Sequence, residues 1–205
     1  MTRIKICGLR SVRDAEEAVA AGADALGVVL APARRQVTLN DVRAIRGVVP
    51  PIVPLVGVFV DPTPEDVTAA LDAGVDVLQF SGDEPPEFCA SFARPFIKVV
   101  RVGNAAPAPE DVTRYRVGMV TFDTAHGEER GGTGRTFNWS KVTPLRGLVR
   151  FCIAGGLRPE NVGEAVRTLR PFAVDVSSGV ERDGRKDPTL MRAFVRAVRE
   201  SDATA

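Results

Sequence analysis

Ala21-Gly22-Ala23-Asp24-Ala25-Leu26 and Ala73-Gly74-Val75-Asp76-Val77-Leu78 are one pattern written twice. In each, a helix-forming run stops at a glycine, and an aspartate precedes an apolar run. Glycine takes the left-handed conformation that ends a helix, and aspartate suits the turn that follows. The pattern therefore reads as the passage from a helix into a strand. Its recurrence marks a chain built of strand–helix units.

Working outward, eight short runs rich in Val, Ile, Leu and Phe read as strands: Arg3–Cys7, Ala25–Leu30, Leu55–Val60, Val75–Phe80, Phe96–Val102, Met119–Phe122, Arg150–Ala154 and Phe172–Val176. Most are continuous apolar runs, which suits a parallel sheet covered on both faces. Helix signals fall between them. Ser11 caps a run ending at Gly22, Asn40 can cap a helix over Asp41–Val48, and Thr63-Pro64 opens a helix ending near Gly74. Pro85-Pro86, Pro159 and Pro188 open further helices, running to Phe92, to Leu169 and over Leu190–Glu200. Proline fits a first turn because its missing NH would be unpaired there. Pro109–Arg116 is short, Asn138–Leu145 is interrupted by Pro144, and Ser201–Ala205 reads as a frayed tail. No linker divides the 205 residues, so the units are expected to form one domain, 1–205. Eight units predict a single compact (β/α)₈ barrel, near the lower size limit of that fold. A doubly wound open sheet is the alternative, disfavoured by the count and by the absence of G-x-G-x-x-G after the first strand.

Composition narrows the function. The chain is 44% hydrophobic and 26% charged, with 27 basic and 26 acidic residues and a net charge of +1. Such a balance gives no general attraction to nucleic acid or an anionic membrane. No apolar run approaches the ~20 residues needed to span a bilayer, and no signal-peptide core follows Met1. Cys7, Cys89 and Cys152 have neither metal-site nor disulfide spacing, and His126 stands alone. A cytoplasmic protein is expected.

Barrels of this kind carry their active sites at the C-terminal ends of the strands, so the chemistry is expected at the strand ends. The first ends in Cys7-Gly8, either a small buried residue or a placed thiol. Lys5 shares its face of the strand by alternation. Arg34 and Arg35, after the second strand, suit a carboxylate or phosphate, or form a solvated basic loop. Asp83 and Glu84 read as the acidic start of the next helix. Asp123 ends the sixth strand, as a turn former or as a half-buried acid able to donate a proton. The glycine-rich stretch from His126 to Arg135 reads as a lid. Gly155-Gly156 after the seventh strand and Ser177-Ser178-Gly179 after the eighth fit the phosphate site common in such barrels. Cys89 and Cys152 read as packing residues, and Trp139 as an anchor for the preceding loop.

Five motifs together closely resemble the phosphoribosylanthranilate isomerase family. They are Lys5-Ile6-Cys7-Gly8-Leu9, Asp123-Thr124, Gly131-Gly132-Thr133-Gly134 through Trp139, Gly155-Gly156-Leu157-Arg158-Pro159-Glu160-Asn161-Val162, and Val174-Asp175-Val176-Ser177-Ser178-Gly179-Val180-Glu181. The resemblance implies a TIM barrel of the ribulose-phosphate-binding type, without metal or cofactor. It implies an Amadori rearrangement of N-(5-phosphoribosyl)anthranilate in tryptophan biosynthesis. The partner is then a small phosphorylated sugar–anthranilate, with no nucleic acid or membrane, and the protein a monomer or homodimer. By this resemblance Cys7 is the general base and Asp123 the general acid. Arg35, with Arg34 as rival, meets the anthranilate carboxylate. Asp175 and Ser177 lie near the ribulose hydroxyls, and Gly155, Gly156, Ser178 and Gly179 cradle the phosphate. Ser81, Arg135 and Asn138 depart from the family pattern. The absence of a histidine at Ser81 and a shortened arginine loop motivate one alternative, a related sugar-phosphate isomerase of specialised metabolism; a non-catalytic phosphosugar-binding barrel that keeps the phosphate cradle is the other.

Overall fold

The computed structural model describes residues 1–124 and 138–204. The strands β1 (Arg3–Cys7), β2 (Ala25–Val29), β3 (Leu55–Phe59), β4 (Val77–Phe80), β5 (Phe96–Val102), β6 (Val120–Thr124), β7 (Phe151–Ile153) and β8 (Ala173–Val176) close into one parallel barrel. β1 pairs with β2 on one side and with β8 on the other, so no edge is left open. Helices α1 (Val12–Ala21), α2 (Leu39–Val48), α3 (Pro64–Asp72), α4 (Pro86–Ala90), α5 (Pro109–Thr113), α6 (Val162–Leu169) and α7 (Pro188–Ala203) alternate with the strands. Two short 3₁₀ turns, Trp139–Lys141 and Thr143–Leu145, precede β7, with Pro144 in the second. Among the described residues no helix is long and apolar enough to cross a membrane.

The repeated Gly-x-Asp does the same work in both places. Gly22 and Gly74 have φ of 96° and 107°, the left-handed conformation. The Asp24 NH donates to the Ile4 carbonyl at 2.8 Å, and its carboxylate accepts from the Ile4 NH at 2.9 Å. The Asp76 NH likewise donates to the Leu55 carbonyl at 2.9 Å, and its carboxylate accepts from the Leu55 NH at 2.8 Å. Each aspartate thus ties the start of its own strand to the start of the preceding one.

Strand alternation divides the barrel into two layers. Ile4, Ile6, Leu26, Leu78, Phe80, Phe122 and Val174 are fully buried and pack outward against helix residues such as Ala15, Ile45, Val67, Ala165 and Phe194. Burying each large apolar side chain contributes ~1.5–3 kcal/mol. The other parity points inward, where Val56, Val58, Ile97 and Val99 share the interior with Lys5, Cys7, Thr121, Cys152 and Asp175. Most of these polar interior residues stand on the wall made by β1, β6, β7 and β8, with Gln79 of β4 across from them.

Several boundaries differ from expectation. Thr38, not Asn40, caps α2, because Thr38 and Asp41 hydrogen-bond reciprocally in a capping box. α4 stops at Ala90 rather than Phe92, and Ala93 follows with φ 50°. α6 starts at Val162, three residues after Pro159, because Asn161 first accepts from the Arg158 NH at 2.8 Å and donates to the Gly156 carbonyl at 3.0 Å. The tail is helical through Ala203, with Ser201 buried and hydrogen-bonded to the Ala197 carbonyl at 2.8 Å. Glu84 does not begin a helix; it is buried against Lys98. A hairpin of β9 (Glu181–Arg182) and β10 (Arg185–Lys186) follows β8. Its turn is Asp183-Gly184, with φ of 51° and 73°, the pairing that favours a two-residue hairpin.

Candidate active site

Cys7 ends β1 with its side chain in the barrel, one alternation above Lys5. Gly27, its register partner on β2, makes room for both. A Cβ at Gly27 would lie 2.7 Å from the Cys7 Sγ and 3.1 Å from the Lys5 Cε. Cys7 is a free, buried thiol. Burial pushes its pKa up, Lys5 pulls it down, Asp175 pushes it up, and Lys186 pulls it down. Burial would lower the Lys5 pKa, but Asp175 and Cys7 beside it raise it above its ordinary value. Lys5 therefore stays charged under the thiol. Its Nζ donates to the Asp175 Oδ2 at 2.7 Å, along the register that pairs β1 with β8.

Asp123 stands on β6, separated from β1 by β7 and β8 on the shorter way round. It is half-buried, and its Oδ1 accepts from the Thr124 NH at 2.7 Å. Arg101 is its register partner on β5. The loop after β7 crosses directly beside it. A Cβ at Gly155 would sit 2.6 Å from the Asp123 Oδ1 and 2.2 Å from the Thr124 Oγ1. Only glycine fits there, and φ of 83° at Gly155 and 67° at Gly156 requires it twice over.

The loop after β8 lies against the loop after β7. A Cβ at Gly179 would fall 1.8 Å from the Leu157 carbonyl oxygen. Ser178–Val180 form a single 3₁₀ turn beginning at Ser177, whose φ and ψ are −124° and −82°. The result is a shelf of small residues, Gly155, Gly156, Ser178 and Gly179, on the strand ends between Cys7 and Asp123. Backbone of this kind lets an anion approach NH groups closely.

The hairpin adds a charged cluster that the sequence reading missed. Glu181 accepts from the Arg35 Nε at 2.6 Å, the Arg35 Nη2 at 3.0 Å, the Arg34 Nη2 at 2.8 Å and the Lys186 Nζ at 3.1 Å. Burial would raise the Glu181 pKa, but Arg35 and Lys186 outweigh it and bring it to about 2. Lys186 also donates to the Ser177 carbonyl at 2.8 Å. Burial lowers the Lys186 pKa, although Glu181 and Cys7 act to raise it. The two arginines differ in place. The Arg35 side chain is 14% exposed and the Arg34 side chain 57%. A Cβ on Gly8 would be 2.5 Å from the Arg35 Cδ and 2.9 Å from the Ser177 Oγ, whereas Arg34 lies out beside Gly184. Arg35 therefore belongs to the mouth, next to Cys7. The Asp183-Gly184 pair was the available signal for this hairpin, flanked though it is by charged residues.

The remaining cysteines are both buried. Cys89 packs in α4. Cys152 lies inside the barrel, where burial pushes its thiol well above the ordinary range. Trp139 packs against the core, with its Nε1 buried. His126, Arg135 and the Gly131-Gly132-Thr133-Gly134 run expected to form a lid lie outside the described residues.

Residues 4–197 match the family described as N-(5'phosphoribosyl)anthranilate (PRA) isomerase. The chain is 45% identical to the N-(5'-phosphoribosyl)anthranilate isomerase of Desulforudis audaxviator strain MP104C, over 98% of this chain and 100% of that one. It is similar to monomers generated from the dimeric phosphoribosylanthranilate isomerase of Thermotoga maritima, with a TM-score of 0.84 and 36% identity, covering 98% of this chain and 100% of that one. It is also similar to a phosphoribosyl anthranilate isomerase solved in complex with reduced 1-(o-carboxyphenylamino)-1-deoxyribulose 5-phosphate, with a TM-score of 0.83 and 37% identity, again over 98% and 100%.

Proposed function

The chain belongs to the N-(5'-phosphoribosyl)anthranilate isomerase family, and from that premise we propose how its own residues divide the work. The reaction converts N-(5-phosphoribosyl)anthranilate into 1-(2-carboxyphenylamino)-1-deoxyribulose 5-phosphate, an aldose-to-ketose isomerisation of tryptophan biosynthesis. The observation that carries the assignment is the placing of Cys7 and Asp123 at one barrel mouth, with the glycine shelf of β7 and β8 between them.

Asp123, as the neutral acid, gives its proton to the ribose ring oxygen as the C1–O bond breaks. The nitrogen lone pair closes to C1, forming an iminium. Cys7, as thiolate, then removes the proton from C2, and the C2–H electrons form the C1–C2 double bond of an enol as the C1=N π pair returns to nitrogen. The enol becomes the ketone as C1 takes a proton and the C2 hydroxyl gives one up, with no net proton consumed in that step. Burial and Asp175 hold the Cys7 thiol above its ordinary pKa, and Lys5 and Lys186 work against them, so their task is to bring the thiolate within reach. The shelf of Gly155, Gly156, Ser178 and Gly179 holds the phosphate through backbone NH groups. Arg35, oriented by Glu181, presents its remaining Nη1 donors to the anthranilate carboxylate. Asp175 and Ser177 meet the sugar hydroxyls.

The whole chain acts as one domain in this reading. The base must be a free thiol, which fits the reducing cytoplasm. Every residue invoked comes from one chain, so the scheme holds for a monomer and a homodimer alike. In an assay following loss of the fluorescent substrate, Cys7→Ser and Asp123→Asn are each expected to lower turnover by ~100-fold or more. Normal turnover in Cys7→Ala would remove the assigned base.

A further inference from the structure

Gln79 is out of place unless it binds something. It lies on β4, where its register partners are Val58 on β3 and Ile97 on β5, both apolar. The next residue, Phe80, packs outward, its ring 5.8 Å from that of Phe88 and 6.1 Å from that of Phe96. By alternation Gln79 points into the barrel. It is only 5% exposed. Its Oε1 is buried with no hydrogen-bond partner among the described residues. Its Nε2 reaches the Ser81 Oγ at 3.5 Å, the outer limit of a hydrogen bond. A buried carbonyl left unpaired is costly, and native structures rarely keep one without a use.

A second buried acceptor is in the same condition. The Asp175 Oδ2 is held by Lys5, but the Oδ1 has no partner among the described residues. β4 and β8 are diametrically opposed in an eight-strand barrel. Two orphan acceptors therefore face each other across the interior, beneath the mouth that holds Cys7 and Asp123. Their common need is a donor that the described residues do not supply. A polyhydroxylated chain supplies several.

We propose that Gln79 is a further substrate-contacting residue, its side-chain carbonyl accepting a hydrogen bond from a hydroxyl of the opened sugar, across the barrel from Asp175. The inference rests on the isomerase reading and deepens it. Ring opening converts the ring oxygen into a new hydroxyl, so the opened sugar has one donor more than the closed substrate. An acceptor matched to that donor binds the intermediate more tightly than the starting aldose, and only such differential binding speeds the chemical step. Ser81, holding the Gln79 amide from two residues on, acts as its positioning residue.

Gln79→Met tests this, because it keeps length and volume while removing both polar groups. The expected result is a melting temperature equal to wild type or higher, since no orphan remains, with kcat/KM lower by about tenfold or more. Affinity for reduced 1-(o-carboxyphenylamino)-1-deoxyribulose 5-phosphate should fall by a similar factor. Inhibition by inorganic phosphate, which occupies only the shelf, should not change. If methionine crowds Val58 and Ile97 and the variant melts early, Gln79→Leu, which is smaller, is measured in its place. Unchanged kcat/KM and unchanged analogue affinity in a folded variant overturn the proposal. So does a lower melting temperature with unaltered kinetics, the mark of a purely structural glutamine. Wild-type turnover is measured alongside. If it is absent while the analogue still binds, the isomerase reading fails and the affinity difference still decides the Gln79 contact. If the analogue does not bind either, both fail.

Discussion

Two buried lysine–carboxylate pairs lie on opposite sides of the barrel wall, and they are built differently. Lys98 on β5 faces the helices. Its Nζ donates to Glu84 and, at 2.7 Å, to the Gly82 carbonyl, and it lies 5.4 Å from the Tyr115 ring centroid. The other Glu84 oxygen accepts from the NH groups of Asp61 at 2.8 Å and Gly82 at 3.0 Å. Every polar atom of that carboxylate is used. Lys5 on β1 faces the interior and holds one oxygen of Asp175, while the other has no partner among the described residues. The first pair is finished and pins the loop after β4. The second has capacity left, at the place where a substrate would enter. A buried ion pair is thus a structural element when its hydrogen bonds are complete, and a candidate binding element when they are not.

The contrast breaks most visibly in turnover. Replacing the inner pair by apolar residues, Lys5→Met with Asp175→Leu, removes both charges together and leaves only the Cys7 thiol, a weak hydrogen-bonding group, without its Lys5 partner. Stability should hold or rise, while turnover falls by at least ~100-fold, because Cys7 loses its nearest cation and the sugar loses an acceptor. Melting curves and steady-state rates on the same preparation check both halves. A strong loss of stability would place the inner pair in the same class as the outer one.

The outer pair should respond the opposite way. Lys98→Met with Glu84→Met strands the NH groups of Asp61 and Gly82. At about 1–3 kcal/mol for each orphaned group, the melting temperature should drop on the order of 10 °C. The kcat of the folded protein should be unchanged. A kcat that falls in step with stability would mean that the loop after β4 reaches the chemistry.

The smallest expected effect is a displacement in pH. Lys186 lies close enough to Cys7 to pull its pKa down. Removing a positive charge disfavours the thiolate, so the Cys7 pKa rises. In Lys186→Met the ascending limb of kcat/KM should therefore move to higher pH. A limb that stays in place would leave Lys5 as the sole cation acting on the thiol and confine Lys186 to its contacts with Glu181 and Ser177.

Much of this was legible in the order of residues. The repeated Gly-x-Asp announced the strand–helix unit, because a helix end and a turn each need a particular residue locally. Cys7 and Asp123 stood out because each closes an apolar run, and a polar group at that point of a barrel strand lies at the mouth. Thr38 was overlooked in favour of Asn40, since both are capping residues and only the reciprocal bond to Asp41 separates them. Glu84 was misread for a related reason. Acids before a proline-led helix resemble a first turn, and nothing nearby reveals that Lys98 lies beneath.

The sequence by itself determined the repeating unit, the barrel and which polar groups close its strands, because alternation and capping act over a few residues. Only the tertiary structure decided the electrostatics of the mouth. Lys5 meets Asp175 across 170 positions, and Arg35 meets Glu181 across 146. Gln79 has no partner for its carbonyl among the described residues because its register partners on either side are Val58 and Ile97. Charge and hydrogen bonding act through space. The distances that govern them exist only once the eight strands have closed.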